Sequence, residues 1–172
     1  SVILVTGGAG YIGSHTCVEL LQAGHEITVF DNFCNSHPES VERVQRITGK
    51  RLCVIRGDIR DRAALITALR ECDAQSVIHF AGLKAVSESV SQPLRYYNNN
   101  VEGSIALFEV MAEAGVKTLV FSSSATVYGD PASVPINESA ALSVTNPYGR
   151  SKLMIEDMLR DIAQADASWQ IA

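Results

Sequence analysis

The chain has 172 residues, 47% of them apolar, with 14 lysines and arginines against 19 aspartates and glutamates. That length suffices for one well-packed domain, and the scattered, outnumbered basic residues argue against a nucleic-acid-binding surface. No apolar run reaches the length of a membrane span, and no basic segment precedes the opening apolar run, which therefore reads as a strand and not as a signal peptide.

Val2-Ile3-Leu4-Val5-Thr6 is apolar and rich in β-branched residues, and predicts a first strand. It ends in Gly7-Gly8-Ala9-Gly10-Tyr11-Ile12-Gly13, after which residues 14–21 have the apolar spacing of an amphipathic helix. Glycines between a strand and a helix serve three needs: a turn at positive φ, approach of a pyrophosphate to the main chain, and close packing of the helix on the strand. The helix start then turns free amides and the positive end of its dipole toward the phosphates. Gly24 reads as a C-terminal cap. A second apolar run, Ile27-Thr28-Val29-Phe30, ends at Asp31, about twenty residues beyond the glycines, where dinucleotide-binding folds hold the adenosine ribose. Asp31 can accept bonds from both ribose hydroxyls and would repel a 2′-phosphate. No arginine follows it directly, so NAD is favoured over NADP.

Pro38 opens a helix carrying Val41, Val44 and Ile47, which Gly49 closes. Residues 52–55 predict a third strand. Asp58, just beyond it, reads equally well as a contact to the adenine end of a cofactor and as the start of the next turn. Asp61 is a good N-cap for a helix bearing Ala64, Leu65, Ala68 and Leu69. Residues 76–80 predict a fourth strand that breaks into the small pair Ala81-Gly82, and His79 within it reads as a strand histidine with a local hydrogen-bond partner. One long helix is predicted over 93–113, ending at Gly115, with Leu107, Val110 and Met111 on its packed side. Its polar cluster Asn98-Asn99-Asn100 must find partners if buried. Residues 116–121 predict a fifth strand.

A long loop, 122–146, follows, starting with Ser122-Ser123-Ser124 and punctuated by Pro131 and Pro135; loops of that length inside a domain are usually functional or disordered. A helix over 148–165 comes next, and Trp169-Gln170-Ile171-Ala172 begins a sixth strand. Strands alternating with helices predict an α/β fold with a doubly wound parallel sheet of Rossmann type, and the glycine turn with Asp31 selects its dinucleotide-binding version. Cys17, Cys34, Cys53 and Cys72 lack the paired spacing of a zinc site or redox dithiol, so no metal is expected, and reduced thiols in a cytoplasmic protein are.

Tyr148 and Lys152 are four residues apart and share one face of their helix. A phenol with a reference pKa of about 10 is barely ionised at neutral pH. Lowering that value by about three units, enough to remove a sugar hydroxyl proton, requires roughly 4 kcal/mol of preferential stabilisation of the anion. The Lys152 ammonium and a positively charged oxidised nicotinamide are sources of it, and Lys152 would also hold the nicotinamide ribose. A hydroxyl from Ser124 would hydrogen-bond the oxygen being oxidised.

Together the glycine turn, Asp31, the serine cluster and Tyr148-x-x-x-Lys152 resemble the extended short-chain dehydrogenase/reductase family. The stretches Thr6 to His15, His79-Phe80-Ala81-Gly82-Leu83-Lys84-Ala85-Val86, Phe121 to Gly129 and Asn146-Pro147-Tyr148-Gly149-Arg150-Ser151-Lys152 are similar to its nucleotide-sugar epimerase branch, and the resemblance covers nearly the whole chain. It implies Tyr148 as the acid/base, Lys152 as its electrostatic partner, and Ser124, with Lys84, beside the sugar. Gly7, Gly10, Tyr11, Ile12 and Gly13 would meet the pyrophosphate, and Asp31, Asn32, Asn35 and Ser36 the adenosine ribose. Asp58 and Ile59 would sit at the adenine, while Phe80, Ala81, Gly82, Lys84 and Asn99 would line the rest of the NAD. The implied reaction interconverts UDP-glucose and UDP-galactose: the C4 hydroxyl loses its proton, the C4 hydride passes to NAD, and after the 4-keto sugar rotates the hydride returns to the other face.

The helices beginning at Pro93 and Tyr148 resemble the pair that family members use for a four-helix homodimer contact. Two departures from the family pattern stand out. Ser87 occupies a position where glycine is common, and the C-terminal region that grips the UDP is expected to lie outside residues 1–172. On that reading residues 1–172 form an NAD-binding domain that alone turns over poorly or not at all. A nucleotide-sugar 4,6-dehydratase would need an Asp-Glu pair where this sequence has Ala125-Thr126. A non-catalytic NAD-binding module would need the glycine turn but neither Tyr148 nor Lys152.

Overall fold

Parallel strands covered by helices on both faces must be apolar throughout, and the first two runs of the chain meet that requirement. In the computed structural model, which describes residues 1–123 and 146–172, strand β1 (Val2–Thr6) lies inside a parallel sheet with β2 (Glu26–Asp31) on one side and β4 (Ser76–His79) on the other. With β3 (Cys53–Arg56), β5 (Thr118–Phe121) and β6 (Gln170–Ile171) the order is β3-β2-β1-β4-β5-β6, so the doubly wound Rossmann-type sheet is present among the described residues. Side chains alternate between two cores. Ile3 and Val5 face α1 (Tyr11–Gln22) and α2 (Pro38–Thr48) with Cys17, Leu21, Val41 and Val44. Leu4 faces the other way, with Leu65 and Leu69 of α3 (Arg62–Glu71), Leu107 and Met111 of α6 (Gly103–Ala114), and Ile155 and Leu159 of α7 (Pro147–Ala165).

The predicted punctuation holds at several ends. The Asp61 carboxylate accepts the Ala64 amide at 3.1 Å as the cap of α3, and Gly49 and Gly115 close α2 and α6 in the left-handed conformation. Other boundaries move for local reasons. Strand β3 starts one residue late because the Leu52 amide is held by the Gln45 side chain at 3.0 Å. Strand β5 starts at Thr118 because the Val116 amide closes α6 on the Met111 carbonyl at 2.9 Å.

The single helix expected over 93–113 is instead three segments preceded by a fourth. Helix α4 (Val86–Ser91) was not foreseen; it ends where Gln92 leaves helical geometry before Pro93. Helix α5 (Pro93–Tyr96) runs into a wider π-helical turn, Tyr97–Glu102, and then into α6. Of the predicted loop, residues 124–145 lie outside the described residues, and so do Ser124, Ala125 and Thr126. Among the described residues no helix is long and apolar enough to cross a membrane, and no histidine, cysteine and carboxylate group is arranged to hold a metal.

Candidate functional site

All six strands run in one direction, so the loops that follow them gather at one edge of the sheet. There a groove of about 440 Å³ opens between the turn after β1 and the segment after β4. Its walls include Gly7, Gly10, Tyr11, Ile12 and Gly13 from the first turn; Asp31, Asn32, Asn35 and Ser36 from the end of β2; Ile59 from beyond β3; and Phe80, Ala81, Gly82, Lys84 and Asn99 from the β4 side. Fifteen of the positions singled out in the sequence thus share one concavity.

The first turn is built for a close backbone approach. Gly7 has φ +69°, and a Cβ there would come within 2.7 Å of the Ala81 amide nitrogen, so β1 and the β4 end meet only because this residue has no side chain. Gly10 precedes α1 in extended geometry, and the first-turn amides of Tyr11, Ile12 and Gly13 have no carbonyl one turn earlier in the helix to receive them. They are free for an anion.

Asp31 is buried at the end of β2, and its carboxylate is already engaged: Oδ2 accepts from the Ala9 amide at 3.1 Å, while Oδ1 accepts from the Phe33 amide at 2.8 Å and the Ser36 hydroxyl at 3.3 Å. It therefore both starts a turn and ties the glycine loop to β2. Asp58, by contrast, does not line the groove, although its neighbours Gly57 and Ile59 do. Its carboxylate binds the Arg60 guanidinium at 2.7 Å and the Arg60 amide at 2.9 Å, and the guanidinium holds it below the usual carboxylate range, so here it acts as the turn starter.

Helix α7 carries Tyr148, Ser151 and Lys152, all buried. The Asn146 side chain caps it by accepting the Gly149 amide at 2.8 Å. Lys152 is 3% exposed; its Nζ donates to the Ser122 carbonyl at 3.1 Å and lies 4.9 Å from the centre of the Phe121 ring. Burial, with repulsion from the Lys84 ammonium, pulls Lys152 down to about 7. Tyr148 and Lys152 are not among the groove's lining residues. Tyr148 adjoins the groove through a buried cluster with Leu83 and the groove-lining Tyr96.

Asn100 completes that junction: it receives the Leu83 amide at 2.8 Å, donates to the Leu83 carbonyl at 3.0 Å, and reaches the Ser151 hydroxyl at 3.3 Å. Within the π turn Asn99 lines the groove, while Asn100 is buried toward α7. His79 is fully buried as a bonded strand histidine, with Thr6 Oγ1 at 2.6 Å from Nδ1 and Ser104 Oγ at 2.9 Å from Nε2. Its burial, helped by Lys152 and Lys84, pulls it down to about 3, so the ring is neutral near pH 7. Sequence reasoning missed Glu88 and Tyr96 in the groove wall. The only available signal was an acid two residues beyond Val86 and an aromatic three beyond Pro93.

The groove suits an elongated ligand with an anionic middle and a hydroxyl-bearing end near Asp31. The family model described as "NAD dependent epimerase/dehydratase family" matches residues 3–171. The UDP-glucose 4-epimerase of Bacillus subtilis is 57% identical over 170 residues, covering 99% of this chain and 50% of that protein. That of Pasteurella multocida is 59% identical over 170 residues, covering 98% and 50%. The chain therefore spans about half the length of these relatives. A solved UDP-glucose 4-epimerase from Bifidobacterium longum, in complex with NAD+ and UDP, superposes with a TM-score of 0.97 at 49% identity, covering 99% of this chain and 51% of that one.

Proposed function

The chain belongs to the NAD dependent epimerase/dehydratase family, and from that premise we propose that residues 1–172 are the NAD-binding, proton-transferring domain of a UDP-glucose 4-epimerase, which interconverts UDP-glucose and UDP-galactose. The observation that carries the reading is one edge of one sheet bearing a side-chain-free turn with unreceived helix amides, a buried carboxylate at the end of β2, and a buried lysine one helical turn from a buried tyrosine. The groove fits the cofactor because Gly7, Gly10, Tyr11, Ile12 and Gly13 line it where the first-turn amides of α1 have no carbonyl to receive them.

NAD, when bound in this groove, would supply the hydride acceptor and donor for the sugar C4. The first-turn amides of α1 hold its pyrophosphate, and Asp31, with Asn32, Asn35 and Ser36, holds the adenosine ribose and disfavours a 2′-phosphate. Ile59 flanks the adenine, with Asp58 and Arg60 bracing the turn beside it, and Phe80, Ala81, Gly82, Lys84 and Asn99 contact the remainder. Tyr148 takes the proton of the C4 hydroxyl and later returns it. Lys152 supplies the positive charge that favours the phenolate, and the phenolate in turn favours the ammonium, which burial pulls down to about 7. Ser124 is assigned to the sugar oxygen on the sequence pattern alone, with Lys84 nearby. The free thiols of Cys17, Cys34, Cys53 and Cys72 support a cytoplasmic location. The outer faces of α5, the π turn and α7 support a homodimer.

Activity of the full-length protein tests the reading. UDP-galactose should be converted to UDP-glucose, and denaturation should release NAD. Tyr148→Phe should keep the NAD while turnover falls by about 100-fold or more. Release of no NAD, or undiminished turnover in the variant, would overturn it.

A further inference from the structure

Tyr96 is 1% exposed, and its hydroxyl has two partners: it accepts the Ala85 amide at 3.0 Å and donates to Glu88 Oε1 at 3.1 Å. The same carboxylate oxygen receives Arg95 Nη1 at 3.2 Å, which fixes it in place. The Tyr96 ring packs with Leu83 and Tyr148. A phenylalanine would fill the same space without bringing a polar group into it, and a buried hydroxyl beside apolar neighbours costs free energy unless it is bonded. This one is bonded, and what it fixes is the main chain immediately after Lys84.

That segment needs fixing. Gly82, at φ 152°, lacks the side chain that would restrain its backbone, and Lys84 Nζ reaches back to the Phe80 carbonyl at 2.8 Å. Asn100 holds Leu83 on one side of Lys84, and Tyr96 holds Ala85 on the other.

We propose that Tyr96 is a positioning residue: clamped between Ala85 and Glu88 and packed on Tyr148, it sets the Lys84 turn and the proton-transferring tyrosine at a fixed spacing. Glu88 aims the Tyr96 hydroxyl. The inference rests on the functional reading above, because the turn and the tyrosine matter jointly only where a sugar lies between them and the nicotinamide.

In the full-length protein, Tyr96→Phe removes the clamp and keeps the ring. Turnover of UDP-galactose should fall by roughly ten- to a hundred-fold, with KM changing far less and NAD retained, and amide hydrogen exchange across residues 80–90 should accelerate. Glu88→Ala, at a partly exposed position, should give the same loss even if Tyr96→Phe folds poorly. Glu88→Gln, which keeps an acceptor for the hydroxyl, should recover part of it. A Tyr96→Phe protein with a lower melting temperature but unchanged kcat would overturn the inference alone, for the hydroxyl would then only satisfy a buried position. An unmodified protein that neither carries NAD nor interconverts the sugars would overturn the functional reading, and this inference with it.

Discussion

With the role proposed for Lys152, function and stability pull in opposite directions. An ammonium with 3% exposure, facing a second lysine, is held about where neutral pH can discharge it. Its pKa is lower in the folded chain, about 7, than the ordinary 10.5, so between those values the unfolded chain binds more protons and stability rises with pH. Below about 7 the lysine is charged in both states and the burial penalty is present in full. His79 acts in the same sense lower down: held to about 3 against an ordinary 6.5, it makes the fold lose stability as pH falls through that interval. Lys152→Met should therefore raise the melting temperature of the full-length protein at about pH 6 and flatten its rise toward alkaline pH, while turnover is lost. Thermal unfolding of both proteins across a pH series decides it, and a variant less stable than the parent at every pH would refute the account. Such a trade is expected where a charge is kept for chemistry rather than for folding.

The first turn of α7 is where an element's end becomes part of the site. Asn146 caps it through the Gly149 amide, and Tyr148 sits within that turn. Asn146→Ala should cost about 1 kcal/mol, a fall of a few degrees in melting temperature, and should lower turnover as the turn frays, whereas Asn146→Asp should retain both. Capping of this kind is readable in sequence because it is local, and so were Pro38, Gly49, Asp61 and Gly115. The strand–turn–helix unit through Gly7 and Gly13 was legible for the same reason, along with Asp31 at the end of an unbroken apolar run. What stayed hidden depends on contacts distant in sequence. Helix α4 is six residues of mostly serine and valine, poor helix formers, and it is held by packing against α5 and α7. The π turn leaves no periodic trace in Tyr97-Asn98-Asn99-Asn100-Val101-Glu102, and within it Asn99 lines the groove while Asn100 is buried. Glu88 and Tyr96 matter through a hydroxyl–carboxylate bond that spacing alone does not announce. Asp58, readable in two ways from sequence, is drawn to the turn by Arg60.

On the scale of the whole molecule, one flank gathers apolar side chains from neighbouring helices into a shared hollow. Leu94 is 81% exposed on α5 and Met154 is 38% exposed on α7, and between them Tyr97, Val101 and Ile105 line a shallow hollow rimmed by Asn98 and Glu102. An isolated exposed leucine needs no explanation, but side chains from two neighbouring helices forming one apolar hollow with a polar rim have the composition of an interface centre. On the homodimer reading proposed above, a two-fold axis would set α5, the π turn and α7 of one protomer against their equivalents, giving four helices side by side. In such an arrangement every substitution is present twice, so a single charge has a doubled effect. Leu94→Glu or Met154→Glu should weaken self-association of the full-length protein by about 100-fold or more, with NAD still bound because neither residue lines the cofactor groove. Light scattering should give a dimeric mass for the parent and a monomeric one for either variant at micromolar concentration. A parent already monomeric would refute the two-fold arrangement. A variant that stays dimeric would move the contact to another face.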